Sequence, residues 1–134
     1  MQEPVEPGSL LRNVLLADAV LSAGVVTLLT LVPATLAGIT GLPTTALRAV
    51  GVGLIPWVAL LIWVRTRQRV PPSAIGWVIG LNTLGALVCL ALAAGAAAHM
   101  SSAAVIFIAV NGLGALLLAA VQLVGWRRSA ACSA

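Results

Sequence analysis

Four apolar runs, at about residues 14–32, 46–64, 73–96 and 103–126, constrain this chain more than any other feature of its sequence. Each supplies about the 20 residues that a helix rising 1.5 Å per residue needs to cross the hydrocarbon layer of a bilayer. A water-soluble fold fails on composition, because 61% of the residues are hydrophobic and only 7% are charged. Soluble domains carry about a quarter charged residues, enough to clothe a core in a polar shell. The sequence therefore predicts an all-α polytopic membrane protein: a four-helix up-down transmembrane bundle over residues 14–128. A polar tail at 1–13 precedes it, and a short disordered tail at 129–134 follows.

The middle of the chain orients the bundle. Residues 65–72 read Arg-Thr-Arg-Gln-Arg-Val-Pro-Pro. Three arginines cannot stay in hydrocarbon, and two successive prolines cannot continue a helix, so a solvent-exposed turn is expected here. Excess arginine marks the cytoplasmic side of a membrane. With both termini inside, Arg12, Arg65, Arg67, Arg69, Arg127 and Arg128 are cytoplasmic and Arg48 alone is outside. All seven basic residues are Arg, beside heavy Ala, Leu, Val and Gly use, which points to a GC-rich bacterial genome and hence to a bacterial inner membrane. The net charge of +4 is accounted for by these orientation signals. It forms no basic stripe interleaved with aromatics, so nucleic acid is not an expected partner.

The connections are legible as punctuation. The acidic opening, followed by 19 apolar residues, is unlike the short, positively prefaced core of a secretory signal peptide. Pro33, Gly38, Gly41 and Pro43 should end the first helix and form an outer connection, with Thr44 or Thr45 capping the second helix. Pro56 lies inside that helix, frees the carbonyl of Val52 and predicts a kink. Trp63 and Trp77 fall near the inner interface, where indoles gather. Residues 99–102, with a serine as N-cap, make a second outer turn, and Arg127 and Arg128 are expected to stop the last helix.

Within the apolar runs the strongly polar side chains are Asp18, Asn82, Asn111 and Gln122. Helix rise puts Asp18 about 6 Å and Asn82 about 13 Å from the inner ends of their runs, with Asn111 about 12 Å from the outer end of its own. Helical spacing aligns Asn82, Gly85, Ala86, Cys89 and Ala93 on one face of the third helix, and Asn111, Ala115, Ala119, Gln122 and Trp126 on one face of the fourth. Small residues beside an amide let helices approach and hydrogen-bond. These faces are expected to meet, bringing Asn82 to Asn111. Gly76 and Gly80 form a GxxxG that suits packing against the first or second helix. Thr27 and Thr30 should bond to their own backbone.

Two roles are open to Asp18. It can pair with Arg12, Arg127 or Arg128 and fix the bundle, or it can bind a proton or cation with Ser22, Asn82 and Gln122 as neighbours. Paired carboxylates, a nucleophile with its base, a phosphate loop and metal-ligand spacing are not found. His99 with Met100 falls short of a metal site, and Cys89 and Cys132 belong at different depths, so no metal, cofactor or disulfide is expected.

The pattern Leu15-Leu16-Ala17-Asp18-Ala19-Val20-Leu21-Ser22, Gly41-Leu42-Pro43, Leu47-Arg48, Gly51, Pro56, Trp63 and Leu81-Asn82 resembles a group of uncharacterised small bacterial integral membrane proteins. The resemblance covers most of the chain and implies fold and location only. In size and helix count the chain also resembles the DoxX-like four-helix proteins and the small multidrug resistance transporters. The leading functional expectation is a non-enzymatic bundle that binds a lipid or small apolar ligand, or else a partner membrane protein or a second copy of itself. The alternative is a minimal proton-coupled small-molecule transporter using Asp18, the acid's place in the first helix being that of the small multidrug resistance family. Six arginines against one argue against the dual orientation that those antiparallel dimers need.

Overall fold

A computed structural model describes residue 4 and residues 6–133; Glu3, in the expected polar opening, and Ala134 lie outside the described residues. Five helices follow one another: α1 (Ser9–Leu31), α2 (Pro33–Thr40), α3 (Thr44–Thr66), α4 (Pro72–Gly95) and α5 (Ser102–Ser133). The described residues contain no strand element. The four long helices have mean hydropathies of 2.0 to 2.5 and are long and apolar enough to cross a membrane. Only 17–22% of their most apolar stretches is buried within the chain, so most of the apolar surface faces outward. Leu21, Leu31, Leu84, Val110 and Leu117 are all exposed. Water would penalise that surface by roughly 25 cal/mol for every Å²; hydrocarbon does not.

Several element ends differ from the sequence expectation. The first connection is a helix of its own. Pro33 has no N–H to offer, the chain leaves helical geometry at Val32 (φ −126°, ψ 42°), and α2 starts with Pro33 in its first turn. It ends at Gly41 (φ 74°), a left-handed position that suits glycine, and Pro43 prevents resumption. No threonine caps α3, whose N-cap is Pro43. Ser101 does cap α5, its Oγ accepting the Ala104 N–H at 3.2 Å while its hydroxyl donates to the Thr40 carbonyl. Arg127 and Arg128 do not stop α5, nor is the tail irregular through Ser133. Arginine and alanine are good helix formers, and Ser129 anchors the extension by donating to Gly125 O (2.9 Å) and accepting the Gly8 N–H (3.0 Å). The 65–72 segment is only partly a solvent-exposed turn. Arg67, Gln68 and Arg69 are exposed, but Val70 is fully buried. It packs with Leu11, Leu15, Ala19, Leu61, Val64, Ile75 and Val78 and closes one end of the bundle.

The extensive pairings are α4 with α5 and α1 with α3, and α1 also lies along α5. Three glycines permit them. A Cβ on Gly51 would stand 2.9 Å from Leu29 Cβ and Thr30 Cγ2. On Gly112 it would meet Cys89 Cβ at 3.0 Å and Leu90 Cγ at 3.1 Å, and on Gly125 the Leu11 Cα at 3.2 Å. The expected GxxxG contact does not form: nothing lies within 4 Å of a Cβ placed on Gly76 or Gly80. Each close crossing instead uses a single glycine opposite a particular side chain, and Gly85, expected on the packed face of α4, is exposed. Gly112→Leu is expected to separate α4 from α5 and lower stability by about 1–3 kcal/mol, the usual cost of overpacking. Gly80→Leu should lie within about 0.5 kcal/mol of wild type. Thermal unfolding of both variants in the same detergent checks the pair.

Candidate functional site

The most polar point inside the bundle is the junction of α1, α4 and α5. Asp18 is 2% exposed, Asn82 7% and Gln122 0%. Asn82 Nδ2 donates to Asp18 Oδ2 at 2.6 Å, and Gln122 Nε2 donates to the same oxygen at 2.7 Å. Asn82 Nδ2 also donates to Gln122 Oε1 at 3.3 Å, closing a triangle. The other carboxyl oxygen, Oδ1, accepts the hydroxyl of Ser22, one turn on, at 3.2 Å. A carboxylate offers about four acceptor sites, and three donors converge on this one. Helix periodicity explains the local placement, since residues 18 and 22 share a face of α1.

The expected inward Asp18 with Ser22, Asn82 and Gln122 as neighbours is thus what the structure brings together. No arginine takes part. Arg12 lies six residues back, on another face and about 9 Å away along the helix, and its Nη2 donates to the carbonyl of Arg67 at 3.2 Å. The helix that carries Asp18 starts earlier than expected. Because α1 begins at Ser9, Asp18 lies about 13 Å from the helix start.

Asn111 does not join. Its amide donates to Phe107 O on its own helix at 2.8 Å. Gly112 packs on Cys89, so Asn82, seven residues before Cys89, faces α5 about seven residues beyond Gly112, close to Ala119. The long side chain of Gln122 reaches back one turn to meet it, while Asn111 stands about 12 Å away along the helix. Thr27 and Thr30 bond to the carbonyls of Ala23 and Val26, as their positions suggest.

The topology residues gather beyond this junction. Gly8 meets Ser129, Arg12 meets Arg67, and Leu11 packs on Gly125, two residues before Arg127 and Arg128. Arg69 pairs with Glu6 at 3.5 Å, both side chains exposed, and Arg67 lies over the Trp63 ring at 5.2 Å. The Nε atoms of Arg12 and Arg65 are buried with no hydrogen-bond partner among the described residues. Arg48 stands apart, at the end where Thr40 meets Ser101.

Sequence reasoning missed a second feature at that far end, a groove of about 800 Å³ between α2 and α3. Pro33 and Ala34 form one wall; Thr44, Thr45, Ala49, Val52 and Gly53 form the other, with Arg48 among them. It depends on α2 folding back beside α3, and the one signal for that was Pro33 eight residues before Gly41. No group of three or more His, Cys, Asp or Glu side chains able to hold a metal occurs among the described residues. His99 is exposed in a turn, and Cys89 and Cys132 are free. Comparison with protein-family models, curated proteins and solved structures finds no match.

Removing the carboxylate leaves two buried amides short of an acceptor. Asp18→Ala is expected to cost about 1–3 kcal/mol. Asp18→Asn, which keeps one acceptor oxygen, should cost less. Thermal melts of the two variants give the order, and equal melting of Asp18→Ala and wild type would mean that the triangle does not support the bundle.

Proposed function

We propose that the chain is a non-enzymatic protein of a bacterial inner membrane that binds a lipid or small apolar ligand between α2 and α3. Its four long helices span alternately up and down, with both termini and the arginine-rich end in the cytoplasm. The observation that carries the reading is the groove itself. It is largely apolar, lined by Pro33, Ala34, Ala49, Val52 and Gly53 with Arg48 beside them. The Asp18 junction supports this division of roles, because its donors are spent on holding α1, α4 and α5 in register. A partner membrane protein, or a second copy of the chain, would find its contact on the exposed apolar faces.

One observation favours the alternative, a proton-coupled small-molecule transporter. Asp18 is a buried carboxylate where three spanning helices meet, and an intramembrane acid is a functional candidate by default. Native mass spectra from mild detergent separate the two readings. Wild type and Asp18→Asn are both expected to retain an extra mass of lipid or ligand size, and Gly53→Phe, which fills the open groove, is expected to lose it. Loss in Asp18→Asn alone, together with loss of pH-gradient-driven uptake in liposomes, would move the site to Asp18. A bare chain in every sample would leave the partner protein as the surviving reading.

Orientation has its own check. Cys132 is exposed near the end of α5. In a Cys89→Ser background, a membrane-impermeant maleimide should label it only after the cells are opened.

A further inference from the structure

Resting on the reading of the α2–α3 groove as a ligand site, we propose that its occupant is an anionic membrane phospholipid whose net negative headgroup charge is read by Arg48. The guanidinium is exposed and has no hydrogen bond or ion pair among the described residues. The chain has only three acids, Glu3, Glu6 and Asp18, all within its first eighteen residues. Glu6 pairs with Arg69 at the other end, and Asp18 is enclosed by Ser22, Asn82 and Gln122. Among the described residues, no acid is left to pair with Arg48.

The surroundings add to the same sign. Arg48 lies about 6 Å along α3 from its first residue, on the first turns of a helix whose N-cap, Pro43, supplies no side-chain acceptor. The first N–H groups of a helix have no intrahelical partner, and its N-terminus carries a partial positive charge. A cation placed there opposes the helix dipole, and an anion relieves both. Below this positive rim the wall turns apolar at Ala49, Val52 and Gly53, and a Cβ on Gly53 would meet nothing within 4 Å. An anionic headgroup at the rim with an acyl chain along the wall fits this sequence of surfaces. A free anion uses only the rim, and a neutral apolar molecule only the wall.

The test is lipid titration followed by native mass spectrometry, with phosphatidylglycerol and phosphatidylcholine carrying identical acyl chains. Wild type should prefer phosphatidylglycerol about fivefold, the effect of one arginine near a charged headgroup. Arg48→Gln, at an exposed position that leaves the fold intact, should bind both lipids equally, and Arg48→Lys should restore most of the preference. No preference in wild type, or an unchanged preference in Arg48→Gln, overturns the inference. Displacement of phosphatidylglycerol by millimolar inorganic phosphate also overturns it, because the site then reads a free anion. Gly53→Phe distinguishes failure of the underlying reading: if this variant retains lipid as wild type does, the groove is not the ligand site.

Discussion

One carboxylate holds this bundle to a single arrangement. Helices made of Ala, Leu, Val and Gly slide and rotate against one another in lipid at little cost, because hydrocarbon is as apolar as the side chains it replaces. Asp18 removes that freedom. Its Oδ2 accepts from Asn82 on α4 and Gln122 on α5, so a shift of either helix by one turn, about 5.4 Å, strands a buried polar group. An unsatisfied group in hydrocarbon costs several kcal/mol. The triangle therefore contributes less through its net strength than through the penalty it places on every other register. The single-glycine contacts then set how closely the helices pack within the arrangement so chosen.

The two ends of the molecule are built differently. Near the arginines the chain closes on itself: Val70 plugs the end, Gly8 ties to Ser129, and Arg12 reaches the Arg67 carbonyl. Because α5 runs through Ser133, the arginines at 127 and 128 are held on a helix anchored to α1. The other end has fewer ties. Ser101 joins it to Thr40, and α2 leans on α3 with a groove between them. Polar material is concentrated where the bundle is closed, and open volume is left where it is not.

Much of this was legible in the sequence, and the reason is rarity. Asp18, Ser22, Asn82 and Gln122 were identifiable as neighbours because a polar group inside an apolar run must find another. The same logic failed for Asn111, since an asparagine can satisfy itself on the carbonyl four residues back, as it does at Phe107. Faces drawn by helical spacing could not choose between Asn111 and Gln122 as the partner of Asn82, because both were drawn on one face of the last helix. The deciding element was the offset between α4 and α5, set by Gly112 against Cys89. Gly76 and Gly80 misled for a related reason. In helices apolar all round, a small-residue pattern marks where packing is permitted, not where it occurs. The α2 helix was hidden because proline and glycine announce a break without saying what fills the eight residues between.

These contrasts bear on function through the placement of charge. A buried carboxylate with three donors is well suited to holding helices and poorly exposed to a passing ligand, whereas an exposed arginine without a partner has the opposite character. Among the described residues, the acids Glu6 and Asp18 are both engaged elsewhere, and neither neutralises Arg48. A residue that sits against the dipole of its own helix and borders an apolar groove is not explained by packing. The proposed recognition of an anionic headgroup would account for both features.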